Sequence, residues 1–141
     1  MIWKTILKII LNNDRRELEK LQKAISRFAK RYRLRSEIGE GLQLAVEELF
    51  VNVVCYGFDG SSLHKIKVIL RKSGPKITGY IDDDGKIFDP TEYPEPDLRS
   101  GIEERKVGGL GIHLARKYFD QWKYERVGQH NILEFEKWLI H

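Results

Sequence analysis

Cysteine is nearly absent: Cys55 stands alone in 141 residues, so no internal disulfide can staple the fold. A lone thiol inside an apolar helical run suits a reducing compartment, and packing is its expected role. Long hydrophobic runs are missing as well, none approaching the roughly 18 residues that span a bilayer. The opening Met1 to Leu11 is broken by Lys4 and Lys8 and has no small-residue cleavage site, which excludes a signal peptide and points to the cytoplasm. No five like charges occur in succession. With 25 basic against 21 acidic residues, the net charge of +4 describes a solvated surface better than a nucleic-acid-binding face. There is no internal repeat, no Walker sequence and no six-residue dinucleotide fingerprint, and His64, His113 and His130 lack the spacing of metal ligands.

What is present is a soluble composition, 41% hydrophobic and 33% charged, in a chain long enough to bury about two thirds of its unfolded surface. We expect one domain over residues 1–141. Its centre is an apolar helical run over residues 44–58, in a helix expected to end near Tyr56-Gly57. Leu42, Ala45, Val46, Leu49, Phe50 and Val53 share one face at 100° per residue, while Leu44, Val51 and Cys55 make a second stripe roughly opposite. That second stripe should lie beneath another helix or in a subunit contact. Asn52 and the β-branched valines beside it are poor helix formers, so packing and not propensity selects the segment. Glu48, Asn52 and Tyr56 follow one another by a turn and border the main apolar face. An ordinary core helix with a polar edge would show the same pattern.

Residues 2–11 read as a strand stopped by Asn12-Asn13-Asp14, and Asp14 with Glu17 resembles a capping box for a helix carrying Leu18, Leu21, Ile25, Phe28 and Tyr32 inward. The basic side of that helix, from Arg15 to Arg31, is read as solvated. Ser36 is the candidate cap of the central helix. Ile66, Val68 and Leu70 then recur with period two, Ser73-Gly74-Pro75-Lys76 turns, and residues 77–81 return as a second strand into Asp82-Asp83-Asp84-Gly85. Residues 89–107 hold three of the four prolines and little periodicity, which suggests a lid. A short helix opens at Val107-Gly108-Gly109-Leu110-Gly111, and a terminal hairpin turns at Gly128-Gln129-His130-Asn131. This order predicts an α/β two-layer sandwich, a mixed and mostly antiparallel sheet with helices on one face.

Three segments can carry chemistry. Gly108-Gly109-Leu110-Gly111 at a helix start can aim backbone N–H groups at an anion, although glycines also serve tight turns. Asn52 can offer Mg²⁺ a neutral oxygen where phosphates bring the charge. Asp83, two residues before Gly85, can accept a hydrogen bond from an exocyclic amine, or can belong to a plain acidic turn.

Taken in order, Leu44-Ala45-Val46-Glu47-Glu48 leading to Asn52, then Asp83-Asp84-Gly85-Lys86-Ile87-Phe88-Asp89-Pro90, then Gly108-Gly109-Leu110-Gly111-Ile112-His113-Leu114, resemble the Bergerat-type ATP-binding fold of gyrase, Hsp90 chaperones and histidine kinases. Within it the chain is most similar to the anti-sigma-factor serine/threonine kinases of bacterial partner-switching systems. The resemblance implies ATP and Mg²⁺ as cofactors, Glu48 as general base, Asn52 as the metal ligand, Asp83 with Gly85 at the adenine, and Gly109, Leu110 and Gly111 at the phosphates beneath the lid. It also implies a small anti-sigma-factor antagonist as phosphoryl acceptor, a sigma factor or other effector as second partner, and a homodimer. A nucleotide-gated binding module of the same fold without kinase activity is the alternative. Tyr56 stands where the family often has His, and the terminal strand lacks the Thr that often helps hold adenine. No phospho-acceptor histidine helix precedes the domain, which disfavours a two-component histidine kinase.

Overall fold

The structure, a computed structural model, describes residues 6–93 and 109–139. Strand β1 (Ile6–Asn12) leads through a short 3-10 turn into helix α1 (Leu18–Arg31), followed by helix α2 (Ser36–Tyr56) and the hairpin of β2 (Lys65–Ser73) and β3 (Lys76–Asp83). Helix α3 (Gly109–Tyr118) and a second hairpin, β4 (Gln121–Val127) and β5 (His130–Trp138), complete the order. The five strands form one sheet in the order β1-β2-β3-β5-β4, and every pairing is antiparallel.

Alternation explains which side of the sheet is covered. Ile66, Val68 and Leu70 on β2, Ile77 and Ile81 on β3, and Leu133 and Phe135 on β5 are buried beneath the helices. Helix α1 contributes Leu21, Ala24, Ile25 and Phe28, and α2 contributes Ile38, Leu42, Ala45, Val46, Leu49 and Phe50. Burying each large apolar side chain stabilises by about 1.5–3 kcal/mol. That far exceeds the few tenths of a kcal/mol per residue that valine or asparagine costs in a helix.

Several local expectations are corrected. Asp14 accepts from Arg16 N at 2.9 Å and so caps the 3-10 turn Arg15–Glu17, while Glu17 Oε1 reaches back to Asn12 N at 2.9 Å. The two acids thus hold the exit from β1 instead of closing a box around α1. Ser36 is the first residue of α2 and not its cap; Arg35 takes the cap position and makes no side-chain capping bond. Leu44 is 45% exposed and Cys55 is exposed, while Val51 is half-buried against the core, so the second stripe of α2 is covered only in part and the thiol lies at the surface. The terminal hairpin turns on Gly128 and Gln129 alone, with Gly128 at φ 59°, and His130 and Asn131 already belong to β5. The first hairpin likewise turns on two residues, with Gly74 at φ 58°. Of the lid expected over residues 89–107, residues 94–107 lie outside the described residues; Asp89 caps the 3-10 turn Pro90–Glu92 ahead of them.

Helices α2 and α3 meet at Gly41. A Cβ placed there would stand 2.3 Å from Tyr118 Cε1, and the Tyr118 hydroxyl donates to the Ile38 carbonyl at 2.6 Å. Burial, with Asp120 nearby, pushes the Tyr118 phenol well above its ordinary range, so it remains a donor. Gly41→Ala must displace this ring or lose its hydrogen bond. We expect a loss of about 1–3 kcal/mol, the usual cost of overpacking, in urea unfolding. Unchanged stability would mean that the seam is loose.

Candidate functional site

Helix α2, the ends of β3 and β5, and the start of α3 line a cavity that is open to solvent, with about 50 Å³ of water-accessible volume. Its walls are apolar: Leu49 and Val53 from α2, Ile81 from β3, Leu133 from β5, Ile112 from α3, with Phe88 and Pro90 from the segment that follows β3. Asn52, Asp83, Asn131 and Lys86 bring polar groups to this lining, and Tyr56 and Tyr124 complete it. An apolar slot with a few fixed polar groups suits a flat heteroaromatic ligand.

Asp83 is placed by the strand pleat. Of three successive acids only this one turns toward the helices, and it is 5% exposed. Asp82 and Asp84 turn away, where His130 Nδ1 lies 2.6 Å from Asp82 and His64 Nδ1 lies 3.0 Å from Asp84. Asp83 Oδ1 accepts from Gly85 N at 2.9 Å and from Asn131 Nδ2 at 3.0 Å. Burial pushes the Asp83 carboxyl above the ordinary carboxylate range; the hydrogen bonds from Asn131 and Gly85 pull it down, and Asp82 and Asp84 push it up again.

Gly85 acts on the cavity through Asp83. A Cβ at position 85 would lie 2.6 Å from the Gly57 carbonyl oxygen and 2.9 Å from Asp83 Oδ1, so only glycine fits between the end of α2 and the carboxylate. The neighbouring Lys86 N donates to that same Gly57 carbonyl at 2.7 Å, tying the end of α2 to the end of β3.

Asn52 is 7% exposed, and its Nδ2 donates to the Glu48 carbonyl one turn back at 2.7 Å. With the nitrogen committed to the helix, the oxygen is the carboxamide atom suited to a cation. Glu48 is half-buried and does not line the cavity. Gly109, Leu110 and Gly111 occupy the first turn of α3, where backbone N–H groups lack intrahelical acceptors, and Ile112 joins that turn to the cavity wall. The structure therefore gathers Asn52 and Asp83 on one cavity, with the glycine turn at its edge. Among the described residues no cluster of three or more His, Cys, Asp or Glu side chains could hold a metal ion, and no helix is long and apolar enough to cross a membrane.

Asn131 is the residue that sequence reasoning missed. Reading it as part of a turn hid its place in β5, where it stands opposite Asp83. A polar residue at an inward position of an otherwise apolar strand, two before Leu133 and four before Phe135, was the available signal. The strand that lacks a Thr nonetheless presents an amide to the carboxylate.

A five-stranded antiparallel sheet with helices on one face and this cavity at their junction defines the Bergerat-type ATP-binding class. Residues 11–137 match the histidine kinase-like ATPase domain, and the chain belongs to that family. It is 28% identical over 85 residues to the serine/threonine-protein kinase BtrW of Bordetella bronchiseptica, a match covering 60% of each chain. Among solved structures, the RsbU and RsbW domains of Rv1364c from Mycobacterium tuberculosis superpose with a TM-score of 0.65 at 12% identity, covering 95% of this chain and 32% of that one. The blue-light activated histidine kinase EL346 of Erythrobacter litoralis gives 0.55 at 18% identity, covering 75% and 32%. At such identities these two show the fold alone. The chain spans 60% of the curated kinase that it matches and about a third of each of the two structures.

The raised Asp83 carboxyl has a signed consequence. Between the ordinary aspartate value and the raised folded one, the native state binds more protons than the unfolded state, so this group's contribution falls as pH rises through that window. Above the window the full cost of burying the charge remains. Asp83→Asn should therefore raise the melting temperature at pH 7, an advantage that disappears below the ordinary aspartate range. A less stable variant at neutral pH would show that its hydrogen bonds outweigh its burial.

Proposed function

We propose that the chain binds ATP with Mg²⁺ in this cavity and acts as a serine/threonine protein kinase on a small anti-sigma-factor antagonist. The observation that carries the reading is the pair of buried polar side chains, Asn52 and Asp83, on an apolar cavity beside a glycine-rich helix start. Asp83 accepts from the adenine amino group, and guanine, which presents an oxygen there, is disfavoured. Gly109, Leu110 and Gly111 hold phosphate oxygens with backbone N–H groups. The Asn52 oxygen would hold Mg²⁺, which when bound neutralises charge on the phosphates. Glu48, one turn from Asn52, takes the proton of the acceptor hydroxyl as its oxygen attacks the γ-phosphorus and the bond to the β-phosphate oxygen breaks. Similarity to a serine/threonine-protein kinase supports the acceptor class. A sigma factor or other effector is the second partner, released or held according to the antagonist's phosphorylation, and the chain works as a homodimer.

Glu48 stands outside the cavity lining, a place compatible both with a base beside the acceptor hydroxyl and with a nucleotide-gated binding module that transfers no phosphate. Glu48→Gln separates the two, because the amide keeps the size of the side chain and cannot act as a base at neutral pH. Nucleotide binding should survive, while phosphoryl transfer to an antagonist encoded nearby should fall by about 10²- to 10⁴-fold. Asn52→Ala should weaken both binding and turnover. If the native protein grips a partner only with ATP bound and phosphorylates nothing, the gated module is correct.

A further inference from the structure

The carboxamide of Asn131 has no hydrogen bond to spare. It is 7% exposed, with Asp83 opposite it on β3 and Arg126 opposite it on β4. Its Nδ2 donates to Asp83 Oδ1 at 3.0 Å and to the Lys86 carbonyl at 2.8 Å, with a longer contact of 3.4 Å to the Gly85 carbonyl. Its Oδ1 accepts from the Tyr124 hydroxyl at 2.5 Å and from Arg126 Nη1 at 3.0 Å. Two donors and two lone pairs are the whole capacity of a carboxamide. Turned over, the side chain would set its oxygen against a carboxylate and a carbonyl, and its NH₂ against a guanidinium that can only donate. The network therefore admits one orientation.

The consequence falls on Asp83. One oxygen, Oδ1, is occupied by Asn131 and by Gly85 N, and among the described residues no hydrogen bond reaches Oδ2. The carboxylate is left with one open acceptor atom in a fixed direction. Tyr124 and Arg126, two apart on β4, hold the oxygen end of the carboxamide, and Arg126 Nη1 also donates to the Gly85 carbonyl at 2.9 Å. A ring carrying an amino group satisfies such an acceptor. A ring with a bare C–H leaves it desolvated and unpaired, and a ring with a carbonyl repels it.

We propose that Asn131 is the positioning residue for base selectivity: it clamps Asp83 Oδ1 so that Oδ2 alone reads the exocyclic amine, and it spends its own polar atoms on the protein and not on the base. The inference rests on the adenine-nucleotide reading above.

Calorimetry with ATP and with purine riboside triphosphate, which has hydrogen in place of the amino group, tests it. The native protein should prefer ATP. In Asn131→Leu the ratio of ATP affinity to analogue affinity should shrink about tenfold, since a carboxylate held by Gly85 N alone discriminates less. Tyr124→Phe removes one brace and keeps the ring, and should shrink the preference about threefold; it decides the matter if the leucine variant does not fold. Folded variants that weaken both nucleotides equally and keep the native ratio would overturn the positioning role. A native protein that binds both nucleotides equally would fail differently, by removing Asp83 as the reader of the base.

Discussion

The site depends on keeping one carboxylate charged in a nearly dry place. Asp83 is 5% exposed among apolar side chains, where ionisation is disfavoured by desolvation. Hydrogen bonds from Gly85 N and Asn131 Nδ2 offset part of that cost, and both require close approach. Gly85 can supply its bond because it has no Cβ to meet the Gly57 carbonyl. The Asp-x-Gly pattern is therefore one mechanical unit: a buried acceptor, and two residues on, the only side chain small enough to let the backbone turn back toward it. A conformation that costs stability persists in a fold when the packing around it supplies more than it loses.

That packing comes largely from α2. One face of the helix supplies much of the core, one edge supplies Asn52, and its C-terminal glycine receives Lys86 N. Core and site share the same element, which makes Asn52 a residue held by packing rather than by a flexible loop. The Asn52 amide also bonds back to the Glu48 carbonyl, so the two polar residues of the seam are linked through the backbone of the helix. Helix α3 adds the other half of the arrangement, since Tyr118 locks it against Gly41 and Ile112 carries its first turn to the cavity.

Membership of the histidine kinase-like ATPase family fixes the architecture more firmly than the reaction. A bare fold hosts several activities, and solved structures that share it, such as the RsbU and RsbW domains of Rv1364c and EL346, are distant in sequence. Within the proposed function, what separates a transferase from a gated binder is whether Glu48 reaches an acceptor hydroxyl on the antagonist. The hydrogen-bonded clamp around Asp83, by contrast, lies wholly within the chain.

Much of this was legible in the sequence because it depends on local spacing. The 3.6-residue period of α2, the alternation of Ile66, Val68 and Leu70, and the order of Glu48, Asn52, Asp83 and the glycines each follow from neighbours in the chain. The element order and the one-sided helical layer follow from the same patterns. Tertiary structure alone decided the rest. Ser36 lost the cap position to Arg35, and Cys55 proved exposed, because periodicity identifies a second apolar stripe without saying what covers it. Asn131 was read as part of a turn, since a two-residue and a four-residue connection around Gly128 look alike in one dimension. Strand register then set it against Asp83, 48 residues away. Hydrogen bonds between strands distant in the chain depend on how the sheet is ordered, and no local pattern encodes that order.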